Sequence, residues 1–150
     1  VEVDFKALHP NIAMSIYGGS KKFLTHQQVA EESGIAIKRV KIQHLSFFNE
    51  TLMGMKWSPL YKYYQKTEPL LLKNIEYEKK SSEYNYRITS MRMFAKEVEI
   101  MTECIRRLNE IGIYVGYIYD ALFCKESERE IVKKIMNEVV VELGVYTIAD

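Results

Sequence analysis

The chain predicts an α+β fold, a small antiparallel sheet backed by long helices. Short apolar runs bounded by turn residues lie near its two ends, at residues 1–5, 113–119, 121–124 and 145–148. The long middle instead repeats its apolar residues with a helical period. The outline is a small antiparallel sheet segregated from the long helices that back it.

Each element has a local reason. Residues 1–5 read as a strand, and Pro10 opens a helix to about residue 17, where Gly18-Gly19-Ser20 breaks it. Thr25 is a good N-cap for a short helix through Ser33, with Gly34 as its stop. Residues 37–53 are helical by period, with Val40, Leu45, Phe48 and Leu52 near one side. Ser58 and Pro59 then supply an N-cap and a first-turn proline for a helix to about residue 80. The polar segment 79–83 reads as a loop. Over about 89–110, Met91, Phe94, Val98, Met101, Ile105 and Leu108 read as the buried stripe of one helix, with Gly112 at its C-cap. Asp120 marks a tight turn between strands 113–119 and 121–124. Ser127 and Glu130 form a capping box for a helix ending near Leu143 and Gly144, and 145–148 is a last strand. With no repeat or linker, residues 1–150 read as a single domain.

Composition narrows the function classes. The chain has 150 residues, 47% apolar and 27% charged, which suits an ordinary globule with a real core. Its 21 basic and 20 acidic residues leave a formal net charge of +1, unlike a strongly basic stand-alone nucleic-acid binder, although a local basic stripe fits. Cys104 and Cys124 have neither metal-ligand spacing nor a disulfide framework, which fits a reducing cytoplasm. No apolar run approaches the roughly 20 residues that span a bilayer, so no membrane partner is expected. The chain opens on Val1, already inside a strand, as a piece of something longer would.

Two carboxylates stand out. Asp4 closes the first strand in the string Asp4-Phe5-Lys6-Ala7-Leu8-His9-Pro10-Asn11-Ile12, and Asp120 sits in Tyr117-Ile118-Tyr119-Asp120-Ala121-Leu122-Phe123. An aspartate after an edge strand or in a hairpin is commonly structural. Asp120, however, lies between apolar strands, where a carboxylate needs a partner or a cation. Two such groups on strand ends are the minimum for holding divalent metals against a polyphosphate.

The string around Asp4 resembles motif A of template-directed nucleic acid polymerases, closest to its family B form, Asp-Phe-x-Ser-Leu-Tyr-Pro-Ser-Ile. The string around Asp120 is similar to motif C of family A polymerases, with Tyr119 in place of the usual His and Ala121 in place of the following acid. The resemblance implies a palm-type sheet carrying Asp4 and Asp120, a helical fingers-like insertion over about residues 20–80, and thumb and exonuclease portions outside this stretch or absent. It makes Asp4 and Asp120 ligands of two Mg²⁺ (or Mn²⁺) ions. Phe5 borders the nucleotide, and His9 occupies the gate against the ribose 2′-hydroxyl. The helix from about residue 37 is similar to motif B, with Lys38, Arg39, Lys41 and Asn49 towards the triphosphate. Aligned on Asn49, Leu45 takes the place of the usual lysine and Lys41 that of the usual glutamine. Either Lys41 reaches the phosphates from one turn away or the register is shifted.

The expected function is therefore a two-metal nucleotidyltransferase, the core of a DNA polymerase acting on primer–template nucleic acid and nucleoside triphosphates. The alternative is a palm-like domain without catalysis, serving as a nucleic-acid-binding or scaffolding part of a replication protein. A metal-dependent nuclease ranks lower, because only Glu2 lies near, on the opposite face. Trp57, Tyr61, Tyr63 and Tyr64 either stack on bases or fill the core, the core being the commoner use. His26 and His44 lack metal spacing, and neither cysteine has a base beside it in sequence.

Overall fold

The computed structural model describes residues 1–20 and 23–150. In chain order they form β1 (Glu2–Asp4), α1 (Leu8–Tyr17), α2 (His26–Ser33), α3 (Ile37–Ser46), α4 (Leu52–Trp57), α5 (Leu60–Thr67), α6 (Pro69–Ser81), α7 (Arg87–Glu110), β2 (Gly116–Ile118), β3 (Ala121–Phe123) and α8 (Arg129–Glu142). Single 3-10 turns lie at Phe47–Asn49 and Glu126–Glu128. The class is α+β, with a three-stranded antiparallel sheet in the order β1-β3-β2. No helix of the described residues is long and apolar enough to cross a membrane.

β3 is central because it pairs on both sides, Val3 with Leu122 on one and Tyr117 with Leu122 on the other. Val3, Phe5 and Leu122 are buried in the core, and strand alternation sends Glu2 and Asp4 to the opposite face. The outer edge of β1 is covered by the C-terminal residues. Asp4 and Asp150 exchange backbone hydrogen bonds of 3.2 and 3.0 Å, and the Lys6 N–H donates to the Ile148 carbonyl at 2.9 Å. The strand expected at 145–148 is thus displaced to a bridge at Ala149, while Val145 and Thr147 are buried. Asn137 of α8 fixes that bridge by accepting the Ala149 N–H at 2.8 Å.

Turn chemistry sets most helix ends. Gly18 takes the left-handed φ of 77° that closes α1, its N–H donating to the Met14 carbonyl. Thr25 caps α2 by accepting the Gln28 N–H at 3.0 Å. α1 begins at Leu8, ahead of Pro10, and packs on α6 and α7; α7 also packs on α8.

Four expected helix boundaries are corrected. The helix over 37–53 stops at Ser46, because a tighter 3-10 turn lets the consecutive Phe47 and Phe48 both face the core. Thr51 then caps a new helix by accepting the Gly54 N–H at 3.1 Å, and Leu45 is left 77% exposed. The helix over 58–80 breaks at Glu68, since Pro69 forces the preceding residue out of helical geometry, here to φ −137°. The buried Glu68 carboxylate accepts the Ser20 N–H at 2.6 Å and the Ser20 hydroxyl at 2.7 Å. The loop at 79–83 begins only after Ser81: Lys79 is buried, and its ammonium donates to the Phe48 carbonyl at 2.9 Å and to the Glu50 carbonyl. The capping box at the start of α8 is not Ser127 and Glu130; the Glu128 carboxylate accepts the Lys125 N–H at 3.2 Å.

The buried face of α7 is also rotated from the expected stripe. Met93, Glu97, Ile100, Met101, Cys104 and Leu108 face inward, and Met91, Phe94 and Val98 lie on the exposed side. The helix has two apolar faces, and neighbours on α1, α6 and α8 select one.

An aromatic cluster joins α2, α3 and α5. His44 meets the Tyr64 hydroxyl at 2.7 Å through Nε2 and His26 Nδ1 at 2.9 Å through its own Nδ1. Burial, reinforced by the field of His26, lowers the His44 pKa to about 3. The ring is therefore neutral in the fold but protonates readily in the unfolded chain. Its contribution is complete above the ordinary histidine pKa and is lost as pH falls from about 6.5 towards 3. Urea titrations should show wild-type stability falling through this window by up to about 1.4 kcal/mol per pH unit from this group. The slope should be flatter in His44→Phe, and an identical slope in the variant would remove the histidine as its cause.

Candidate functional site

The strand register brings the two aspartates together. Asp4 is paired with Ala121, and Asp120 immediately precedes β3, at the end of the turn formed with Tyr119. Ile118 pairs with Ala121, so Tyr119 and Asp120 alone make the turn, and Tyr119 adopts a left-handed φ of 53°. The Phe5 N–H donates to the Asp120 carbonyl at 3.3 Å, which locks the turn onto β1. The Asp4 side chain is 41% exposed, with the Lys6 ammonium 3.9 Å away.

Two further side chains complete the cluster. Glu97, halfway along α7, is only 3% exposed, and its carboxylate lies 3.1 Å from His9 Nε2 at the start of α1. Burial raises the Asp120 pKa, its own backbone N–H opposes the rise, and the negative charges of Glu97 and Asp4 add to it, with His9 acting against them. The Tyr117 phenol is pushed up in the same way, by burial and then by Glu97 and Asp120. Elements from both ends of the chain and the middle of α7 thus put two further carboxylates and an imidazole in electrostatic range of Asp120.

Hard carboxylate oxygens suit Mg²⁺ or Mn²⁺, and a cation would offset the burial and the repulsion that raise Asp120. The available pair is Asp4 and Asp120, since Glu97 is engaged by His9. Among the described residues, no three His, Cys, Asp or Glu side chains form a group able to hold a metal ion.

The remaining candidates are placed elsewhere. The Phe5 ring is in the core at 2% exposure, so only its backbone borders the site. Lys38, Arg39 and Lys41 are exposed on α3, which packs on α2, α5 and the 3-10 turn. Asn49 is exposed in that turn, its amide donating to the Leu45 carbonyl at 3.3 Å, so it does not continue the helical face of Lys41. The structure brings Asp4, His9 and Asp120 together and adds Glu97, which the sequence pattern did not single out. A signal was present: Glu97 is the one acid in the otherwise apolar succession Met93, Ile100, Cys104 and Leu108.

The chain matches no protein-family model and no curated protein. What the cluster does must be read from its own residues. Removing the Glu97 charge should lower the Asp120 pKa, because one of the two anions opposing its ionisation is gone. Carboxyl-selective NMR titration of Glu97→Gln checks this; an unmoved Asp120 titration would show that the two groups do not interact.

Proposed function

We propose that the chain is the palm and fingers core of a template-directed nucleic acid polymerase, a two-metal nucleotidyltransferase acting on primer–template and nucleoside triphosphates. The meeting of Asp4 with Asp120, each in a string similar to a polymerase metal motif, carries this reading. In it the β1-β3-β2 sheet is the palm, and α2 to α6 are the fingers-like insertion.

The residues divide the work by their chemistry. Asp4, more exposed and beside Lys6, and Asp120, half-buried against β1, offer oxygens to the cations from two adjoining strands. Divalent cations, if held by these two carboxylates, would supply positive charge to a primer 3′-hydroxyl and to the departing pyrophosphate. Glu97 contributes negative potential from behind and holds His9 in place through its 3.1 Å contact. His9 then stands at the site's border, where the family places the gate on the sugar. Lys38, Arg39 and Lys41, exposed on α3, are the cations available to β and γ phosphates, and they reach the site only if α3 moves towards the sheet or the substrate spans the gap.

Primer extension with Mg²⁺ or Mn²⁺ tests the reading. Asp4→Ala and Asp120→Ala are each expected to abolish incorporation, at least about a thousandfold if a metal is lost, with thermal unfolding near wild type. Full activity in either variant would overturn the assignment. Wild-type protein that neither extends a primer nor gains stability from nucleoside triphosphate with Mg²⁺ would instead be the inactive palm-like scaffold.

A further inference from the structure

A second candidate site lies away from the acidic cluster. It is an open groove of about 1000 Å³ between the C-terminal end of α2, the end of α4 and one side of α5. Lys56, Lys62 and Lys66 line it, with Trp57 at its rim and Tyr63 in its wall. Trp57 is 81% exposed, an unusual setting for so large an apolar ring. Tyr63 is buried and donates its hydroxyl to the Glu32 carboxylate at 2.7 Å, which holds the wall rigid.

The charge in this groove is predominantly positive. Lys62 and Lys66 are four residues apart on α5, so both project from the same helix face, about 6 Å apart along it. Like charges at this spacing are unfavourable on an isolated helix. All three lysines are exposed, and none is in an ion pair with a described residue. Among the described residues Glu32 is the one acid in the lining, and it accepts from Tyr63. In a chain whose formal net charge is only +1, three lysines around an exposed indole form a local cationic surface.

We propose that this groove binds single-stranded nucleic acid, with a base stacked on Trp57 and backbone phosphates on Lys56, Lys62 and Lys66. An aromatic platform flanked by cations is what such strands need, because every base has a flat face and every linkage a negative charge. A spacing of about 6 Å between Lys62 and Lys66 spans nearly two nucleotides of a stacked strand at about 3.4 Å each. An acidic peptide would satisfy the lysines but leave the indole without a flat partner. The inference goes beyond the polymerase reading, since the groove shares no residue with the acidic cluster.

Trp57 is the only tryptophan in the chain, so its fluorescence reports the groove directly. Titrating the full chain with oligo(dT) of about 12 nucleotides should quench it, with an affinity that falls as salt rises. Trp57→Ala should weaken binding, followed by anisotropy of a labelled oligonucleotide, by about 5- to 100-fold. Lys62→Glu with Lys66→Glu should weaken it at least about tenfold and flatten the salt dependence. All three positions are exposed, so these variants should fold, which circular dichroism checks. Asp4→Ala should lose primer extension yet keep the quenching, which separates this site from the catalytic reading. No quenching at low salt, unchanged affinity in the lysine variant, or equal competition by polyglutamate would each overturn the proposal.

Discussion

The structure depends on the register between β1 and β3. Strand side chains alternate faces, so the pairing of Val3 with Leu122 places both in the core and leaves Asp4 on the other side. A slip of one residue would push the Asp4 carboxylate into the core and expose Val3 and Phe5. Hydrophobic burial therefore fixes the position of a polar group that takes no part in it. The backbone bonds of Asp4 to Asp150 on the outer edge reinforce the same register.

Held in this way, the acidic cluster is a local concession of stability. Burial and the charges of Glu97 and Asp4 act together to raise Asp120, and only His9 and a backbone N–H oppose them. A buried carboxylate halfway along a 24-residue helix is tolerable because His9 meets it. The helical part around α2, α3 and α5 is organised differently, by stacked and edge-on rings: Phe47 stacks on Tyr64 at 5.3 Å, and His44 joins through hydrogen bonds. One part of the molecule concentrates like charge, and the other is held by neutral aromatic contacts.

Where structure is decided locally, the sequence was a good guide. Gly18, Thr25 and Gly34 end or start helices where their conformational preferences predict, and the hairpin turn falls at Asp120. The α+β class followed from strands at the ends and helical period between them. Failures came where tertiary neighbours choose among local options. α7 has two apolar faces, and period alone favoured Met91, Phe94 and Val98, whereas the packing buries Met93, Ile100 and Cys104. That rotation kept Glu97 out of the set of candidate residues. The break at Glu68 was legible in Pro69 but was outweighed by the helical period on both sides. Asp4 and Asp120 were legible as motifs, while their adjacency needed the register.

The pairing of the chain's beginning with its end has a consequence for how the molecule is made. Residues 2–6 find their backbone partners only at 120–123 and 148–150, so the sheet is closed across most of the chain. During synthesis α2 to α5, which pack on near neighbours, are complete long before any strand has a partner. Val3 and Phe5 must wait exposed until residues 121–123 arrive, so β1 is the segment most open to mispairing in the nascent chain. The cluster of Asp4, Glu97 and Asp120 accordingly forms only once residue 120 has been made, long after α2 to α5.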